Sequence, residues 1–255
     1  MKQILLVVMV VLCSLTASAQ SKVKNIYADS QTLNVAQLEN TDQTVRLSRY
    51  FFAGYNTLCL PMSLSSQQLA KAARDLRIER LAAIRQQGNT LCLYFVDCTS
   101  EGIEAGVPYL VFSPTRQYLR VTNTEATHID SNIKTLRIND GQGNQIAFGS
   151  NWSALQKEGH YGIPAKQNVE ILESVLMRTT SEMTMLPTRC SFTWEQQSAT
   201  ADKLEIMHVS PAEATAIRTV NTDNNTSVDM YDMQGRRVTN NHRGIVIQNG
   251  TKYAK

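Results

Sequence analysis

Gln86-Gln87-Gly88-Asn89-Thr90-Leu91-Cys92-Leu93-Tyr94-Phe95-Val96 is the stretch that decides the fold. A turn cluster leads into a short unbroken apolar run. Such a run, bounded by turn residues, reads as a buried β-strand. Upstream, residues 45–60 are rich in strand formers: Val45-Arg46-Leu47, then Tyr50-Phe51-Phe52, then Tyr55-Asn56-Thr57-Leu58-Cys59-Leu60. Gly54 can turn the chain between them, and Pro61 ends the second run. Between these strands and the opening stretch lies the strongest helix signal. Ser65-x-x-Gln68 is a capping box, and Leu69, Ala72, Ala73 and Leu76 share one helical face, which predicts a short helix over residues 66–75. Residues 78–84 fit either a strand or a continuation of that helix, because Ile78, Ala82 and Ile84 alternate with polar or small neighbours.

Downstream, residues 108–112 form a strand pattern after the turn Glu104-Ala105-Gly106. Residues 118–121 are expected to pair with it through Ser113-Pro114-Thr115. Residues 135–138 and 146–148 flank the turn Asp140-Gly141-Gln142-Gly143-Asn144. Further strands are expected at 169–177, 191–194 and 204–209, punctuated by Pro187 and Pro211. Many short strands with one helix predict an all-β fold, a two-layer β-sandwich over residues 45–212. Leu58, Leu60, Leu91, Leu93, Phe95, Tyr109 and Val111 are its expected core. Residues 20–44 form a lead segment, and the polar 213–226 region reads as a linker. Residues 227–255 read as a tail built on a small β-hairpin of 228–231 with 245–248.

The chain opens with Lys2, an apolar run over 4–12 and Thr16-Ala17-Ser18-Ala19-Gln20. This is the pattern of a secretory signal peptide over residues 1–19, cleaved between Ala19 and Gln20. The competing lipid-anchored reading through Cys13 has Leu12 where a small residue is expected. No later segment holds about eighteen consecutive apolar residues, so no transmembrane segment is expected. Removing the leader takes away Lys2 and no acidic residue, so the formal charge falls from +3 to +2. With only 18% charged residues and Arg236-Arg237 as the one dense basic spot, nucleic acid is not an expected partner.

Four cysteines follow the leader: Cys59, Cys92, Cys98 and Cys190. Four cysteines allow three pairings. Cys92 and Cys98 on one extended run would sit about 20 Å apart, beyond bridging distance. The leading reading makes Cys59 and Cys92 small buried hydrophobes in strands, with one disulfide among the four as the alternative.

His128, His160, His208 and His242 lack metal-ligand spacing, so neither a metal nor a cofactor is assigned. Cys190 with His208 is the least implausible nucleophile–base pair, but Cys190 lies in a strand context beside Phe192 and Trp194. Glu101 and Glu104 form a carboxylate pair that reads as a solvated turn rather than a glycosidase dyad. Asp140 to Asn144 reads as a hairpin turn rather than a calcium loop. Asn151, Asn225 and Asn249 open glycosylation sequons in form only. No catalytic residue is assigned. Two aromatic clusters, Tyr50-Phe51-Phe52 with Tyr55 and Trp152 with Tyr161, Phe192 and Trp194, offer either core or a surface for sugars and peptides.

Three segments carry a resemblance. Residues 55–61 (Tyr-Asn-Thr-Leu-Cys-Leu-Pro), residues 103–111 (Ile-Glu-Ala-Gly-Val-Pro-Tyr-Leu-Val) and residues 186–192 (Leu-Pro-Thr-Arg-Cys-Ser-Phe) resemble a β-rich module of secreted and surface proteins of the Bacteroidota. The tail, Tyr231-Asp232-Met233-Gln234-Gly235-Arg236-Arg237-Val238 followed by Gly244-Ile245-Val246-Ile247-Gln248-Asn249-Gly250, resembles a C-terminal segment related to the type IX secretion sorting domain. The resemblance implies display outside the cytoplasm, at the outer surface or released, with secretion and sorting machinery as a partner. The expected function is binding, adhesion or structural support, toward an extracellular glycan or protein ligand. An extracellular hydrolase of glycans or peptides is the alternative.

Overall fold

The structure is a computed structural model that describes residues 23–29, 33–37, 44–122, 129–164, 176–223, 230–232, 237–238, 245–248 and 251–254. In chain order the strands are β1 (Val23–Tyr27), β2 (Thr44–Phe51), β3 (Gly54–Leu58), β4 (Arg77–Gln87), β5 (Thr90–Asp97), β6 (Tyr109–Ser113), β7 (Gln117–Thr122), β8 (Leu136–Asn139) and β9 (Gln145–Ser150). They continue with β10 (Leu155–Gln156), β11 (Tyr161–Gly162), β12 (Met177–Arg178), β13 (Thr184–Met185), β14 (Cys190–Gln196), β15 (Lys203–Val209), β16 (Met230–Asp232), β17 (Arg237–Val238), β18 (Ile245–Gln248) and β19 (Thr251–Ala254). Helix α1 (Ser66–Ala72) lies between β3 and β4, and α2 (Pro211–Asp223) follows β15.

The central sheet has the order β15-β5-β4-β6-β3. The opening stretch of the sequence analysis is the β4–β5 hairpin, antiparallel from Gln87↔Thr90 to Glu79↔Asp97. One face of the central sheet packs Leu81, Ile84, Leu91, Leu93, Phe95 and Leu110 against Ile146, Phe148 and Phe192 of the second sheet, β12-β11-β14-β9-β8. Phe148 stacks on Phe192 at 4.3 Å, and Phe95 meets both edge-on at 5.9 and 6.1 Å. The all-β sandwich expected from the strand pattern is therefore present. All seven expected core residues are buried.

The opposite face of the central sheet is also covered. At the β3-β6-β4 side, Leu58, Ile78, Tyr109 and Val111 share a core with Leu47, Phe51, Leu119 and Val121 of a three-stranded sheet, β1-β2-β7, and with Leu69 of α1. At the β4-β5-β15 side, Ala82, Val96, Cys92 and Tyr94 meet Ala214 and Ile217 of α2. Coverage on both faces is why residues 91–96 are apolar without alternation.

Helix α1 forms where expected. Ser65 caps it, its hydroxyl accepting from the Gln68 N–H while the Gln68 side chain accepts from the Ser65 N–H. Residues 78–84 resolve as strand β4, with a bulge between Leu81 and Ala83.

Three expectations need correction. Residues 118–121 do not pair with 108–112: β7 pairs with β2, from Arg46↔Thr122 to Phe51↔Gln117. Strand β6 already lies between β4 and β3, so neither of its edges is open. The 213–226 linker is largely helical, since α2 runs to Asp223. Ser210-Pro211-Ala212-Glu213 is a second capping box, with the Ser210 N–H donating to Glu213 at 2.7 Å and the Glu213 N–H to the Ser210 hydroxyl at 3.3 Å. The tail is a four-stranded sheet, β17-β16-β18-β19, rather than a two-stranded hairpin, although the expected pairing of β16 with β18 is present. The strand expected at 169–177 lies outside the described residues except at its end, where β12 begins.

Candidate binding face

The β1-β2-β7 sheet turns one face inward and one outward, as the two-residue period of a strand requires. On β2, Val45, Leu47, Arg49 and Phe51 are buried, while Arg46, Ser48 and Tyr50 face out. On β7, Leu119 and Val121 are buried, and Tyr118, Arg120 and Thr122 face out. Among the described side chains of β1, Asn25 and Tyr27 are exposed. Register lines these residues into cross-strand rows: Asn25, Arg46 and Thr122; Tyr27, Ser48 and Arg120; and Tyr50 with Tyr118.

The outer face is aromatic and basic. Tyr27 is 62% exposed and Tyr118 46%, the two most exposed large apolar residues of the described chain. The Tyr50 ring lies 5.0 Å from Tyr118 and 5.1 Å from Phe52, and the Arg120 guanidinium sits 4.9 Å over the Tyr118 ring. Such contacts hold the rings in place without covering them. Among the described outward positions of these three strands there is no carboxylate. The nearest acid in sequence, Asp29, is turned to the structural side. It accepts from Arg49 at 3.1 Å, from Arg189 at 3.0 Å and from the Tyr50 N–H at 2.9 Å. Arg49 is 2% exposed. Burial and the nearby Arg189 charge lower its pKa, and Asp29 opposes that shift. This knot fixes the end of β1 against β2 and against the start of β14, so the outer face is carried on a braced sheet.

A second polar cluster lies on the central sheet. Glu79 of β4 is buried, with Oε2 2.6 Å from His208 Nδ1 and Oε1 2.7 Å from Arg77 Nε. The Arg77–Glu79 contact is ionic rather than a well-angled hydrogen bond. Arg77 donates to the Tyr55 hydroxyl, and the Tyr55 ring stacks on His208 at 4.6 Å. Burial raises the Tyr55 hydroxyl pKa and the Glu79 charge adds to the rise, while Arg77 lowers it. A carboxylate on imidazole Nδ1 orients the ring, which is what an acid–base site needs.

The sequence-predicted groups fall as follows. Of the aromatic run, Tyr50 and Phe52 belong to the outer face, Phe51 is core, and Tyr55 joins the Glu79 cluster. Trp194 is edge-on to Tyr161 at 6.4 Å, packed against the sandwich core with Phe192. Cys190 is buried, and burial pushes its thiol pKa well up, the reverse of what a nucleophile requires. His208 is held instead by Glu79. Glu101 and Glu104 are exposed and pair separately with Arg80 and Lys134. The Asp140 carboxylate is occupied by the Gln142 and Asn144 N–H groups at 2.8 and 3.0 Å, as befits a hairpin turn. Among the described residues no group of three or more His, Cys, Asp or Glu side chains could hold a metal ion. No helix among the described residues is long and apolar enough to cross a membrane.

Tyr231 and Asp232 lie on β16 and Arg237 on β17 of the tail sheet. Ala19, Gln20, Gln234, Gly235, Arg236, Gly244, Asn249 and Gly250 lie outside the described residues. The outer-face residues Tyr27, Arg46, Tyr118 and Arg120 were not singled out from sequence. Their signal is the alternation Tyr118-Leu119-Arg120-Val121-Thr122, which presents a large ring and a cation where a solvated strand needs only small polar groups. Comparison with family models, curated proteins and solved structures finds no match.

Proposed function

We propose that this chain is an exported, non-catalytic binding protein that holds an acidic glycan on the outer face of the β1-β2-β7 sheet. The observation that carries the reading is the run of Tyr27, Tyr50 and Tyr118 with Arg46 and Arg120 on one face without a carboxylate. Rings offer flat apolar surfaces to sugar faces, and guanidinium groups pair with carboxylate or sulfate bidentately. The leader over residues 1–19 and the tail that resembles a type IX sorting segment support display at the outer surface of a bacterium of the Bacteroidota. Secretion machinery is then a partner through the tail. Affinity electrophoresis through gels containing polygalacturonate or a neutral xylan tests the reading. Retardation by polygalacturonate that weakens with salt is expected; equal mobility in both gels and in a blank gel would overturn it.

A second reading, an extracellular hydrolase, is favoured only by the Glu79–His208 pair. Release of reducing ends or peptides that is lost in Glu79→Gln would support it.

A further inference from the structure

We propose that Cys59 and Cys190 join in a disulfide when the chain folds outside the cytoplasm, a step that rests on the export reading above. Of the four described cysteines, only these two share a hydrophobic cluster: Cys59 and Cys190 lie between the central and second sheets, Cys98 under the β1-β2-β7 sheet, and Cys92 under α2. That segregation leaves Cys59–Cys190 as the one pair brought together out of the six that four cysteines offer.

The backbone is already laced together at this place. The Cys59 N–H donates to the Thr188 carbonyl at 2.9 Å. The Cys190 N–H donates to Thr57 Oγ1 at 2.8 Å, and that hydroxyl lies 3.2 Å from the Cys190 carbonyl, to which it donates. Ser150 stands opposite Cys190 in the β9–β14 register, and its hydroxyl donates to the neighbouring Arg189 carbonyl at 2.7 Å. Both thiols are free in the structure, and the hydrogen bonds through Thr57 and Thr188 hold the two cysteine backbones side by side.

Both residues are buried. Burial pushes the Cys59 pKa up to about 12 and that of Cys190 well up as well. Protonated, enclosed thiols exchange slowly, because the thiolate is the attacking species. The bond therefore forms while the sheets are still closing. Two S–H bonds break and one S–S bond forms. The two electrons and two protons pass to a small-molecule or protein disulfide, whose S–S bond breaks to give a pair of thiols.

The full chain, produced with its own leader in a bacterial host, is denatured without reductant, alkylated and mapped by mass spectrometry. A peptide pair linked through Cys59 and Cys190, with Cys92 and Cys98 alkylated, is the expected result. In parallel, reduced unfolded chain is refolded in a glutathione redox buffer and mapped the same way. Failure to link in glutathione, or a link through Cys92 or Cys98, overturns the disulfide. Linking in glutathione with only reduced chain recovered from cells overturns the export reading instead. Reductant should lower the Tm of the linked wild type by about 5–15 °C and leave that of Cys190→Ala unmoved. A reductant-insensitive wild type carrying the link would contradict a stabilising bond.

Discussion

Replacing Asp29 by alanine removes the acceptor that serves two arginines and one backbone amide. Arg189 and Arg49 both donate to Oδ1, at 3.0 and 3.1 Å, and the Tyr50 N–H donates to Oδ2 at 2.9 Å. Arg49 cannot escape to water, since its side chain is 2% exposed. Its donation to the Tyr50 carbonyl and its position 5.3 Å over the Phe51 ring remain, but neither carries a compensating charge. Breaking a buried ion pair from one side costs about 3–5 kcal/mol. Asp29 is itself one-third exposed, so water reaching the gap places the loss near the lower end, at about 3 kcal/mol. For a chain of this size that corresponds to a fall in Tm of about 6–12 °C. Urea and thermal unfolding of Asp29→Ala, Arg49→Met and the double variant measure it. The double variant should recover at least about 2 kcal/mol relative to Asp29→Ala, because the stranded charge is gone and Met fills much of the space. A loss below about 1 kcal/mol in Asp29→Ala, or a double variant no better than the single, would refute the bracing role of this knot.

Leu93→Ala should cost about 2–5 kcal/mol in urea unfolding, since Leu93 is fully buried between the two main sheets. Ser210→Ala should cost about 1 kcal/mol by removing the α2 cap, read in the same assay. Burial and nearby Lys157 lower the His160 pKa, so the unfolded chain binds the proton more readily; stability is full above pH of about 6.5 and declines as pH falls. His160→Asn should flatten that acid limb in a pH series of melts. Deleting residues 227–255 should leave the Tm nearly unchanged, because the described tail strands pair with one another in a sheet of their own, and should alter the cell fraction in which the protein is found. A large loss of stability with unchanged fractionation would remove support for the tail as an address.

The core was legible because burial on both faces leaves a plain mark: residues 91–96 carry no charged or amide side chain. The α1 helix was legible from its capping box. The same chemistry at Ser210-Pro211-Ala212-Glu213 marks α2, but the polar run at 221–226 drew the reading toward a linker, and among the described side chains of the helix Ala214 and Ile217 supply the apolar face. Strand partners were less legible than strands. The short loop after β6 suggests a hairpin, yet the pairing depends on whether an edge is open, and β3 takes that edge from 50 residues upstream in the fold's order of strands rather than in the loop's own sequence. The buried Arg49 sits in phase with Val45, Leu47 and Phe51, so its inward direction was readable, but its partner Asp29 lies 20 residues away in the lead segment. The binding face depends on β1 and β7 flanking β2, a juxtaposition that the tertiary fold alone creates.

Isothermal titration of polygalacturonate into wild type, Tyr118→Ala and Arg120→Ala tests the binding face most directly. Both positions are exposed on the sheet, so neither substitution disturbs the core. The expected result is saturable binding by the wild type and weakening of about tenfold in each variant, the effect of losing one anchoring contact of about 1.4 kcal/mol. Wild-type binding with both variants unchanged, or no heat of binding from any of the three, would contradict the assignment of this face.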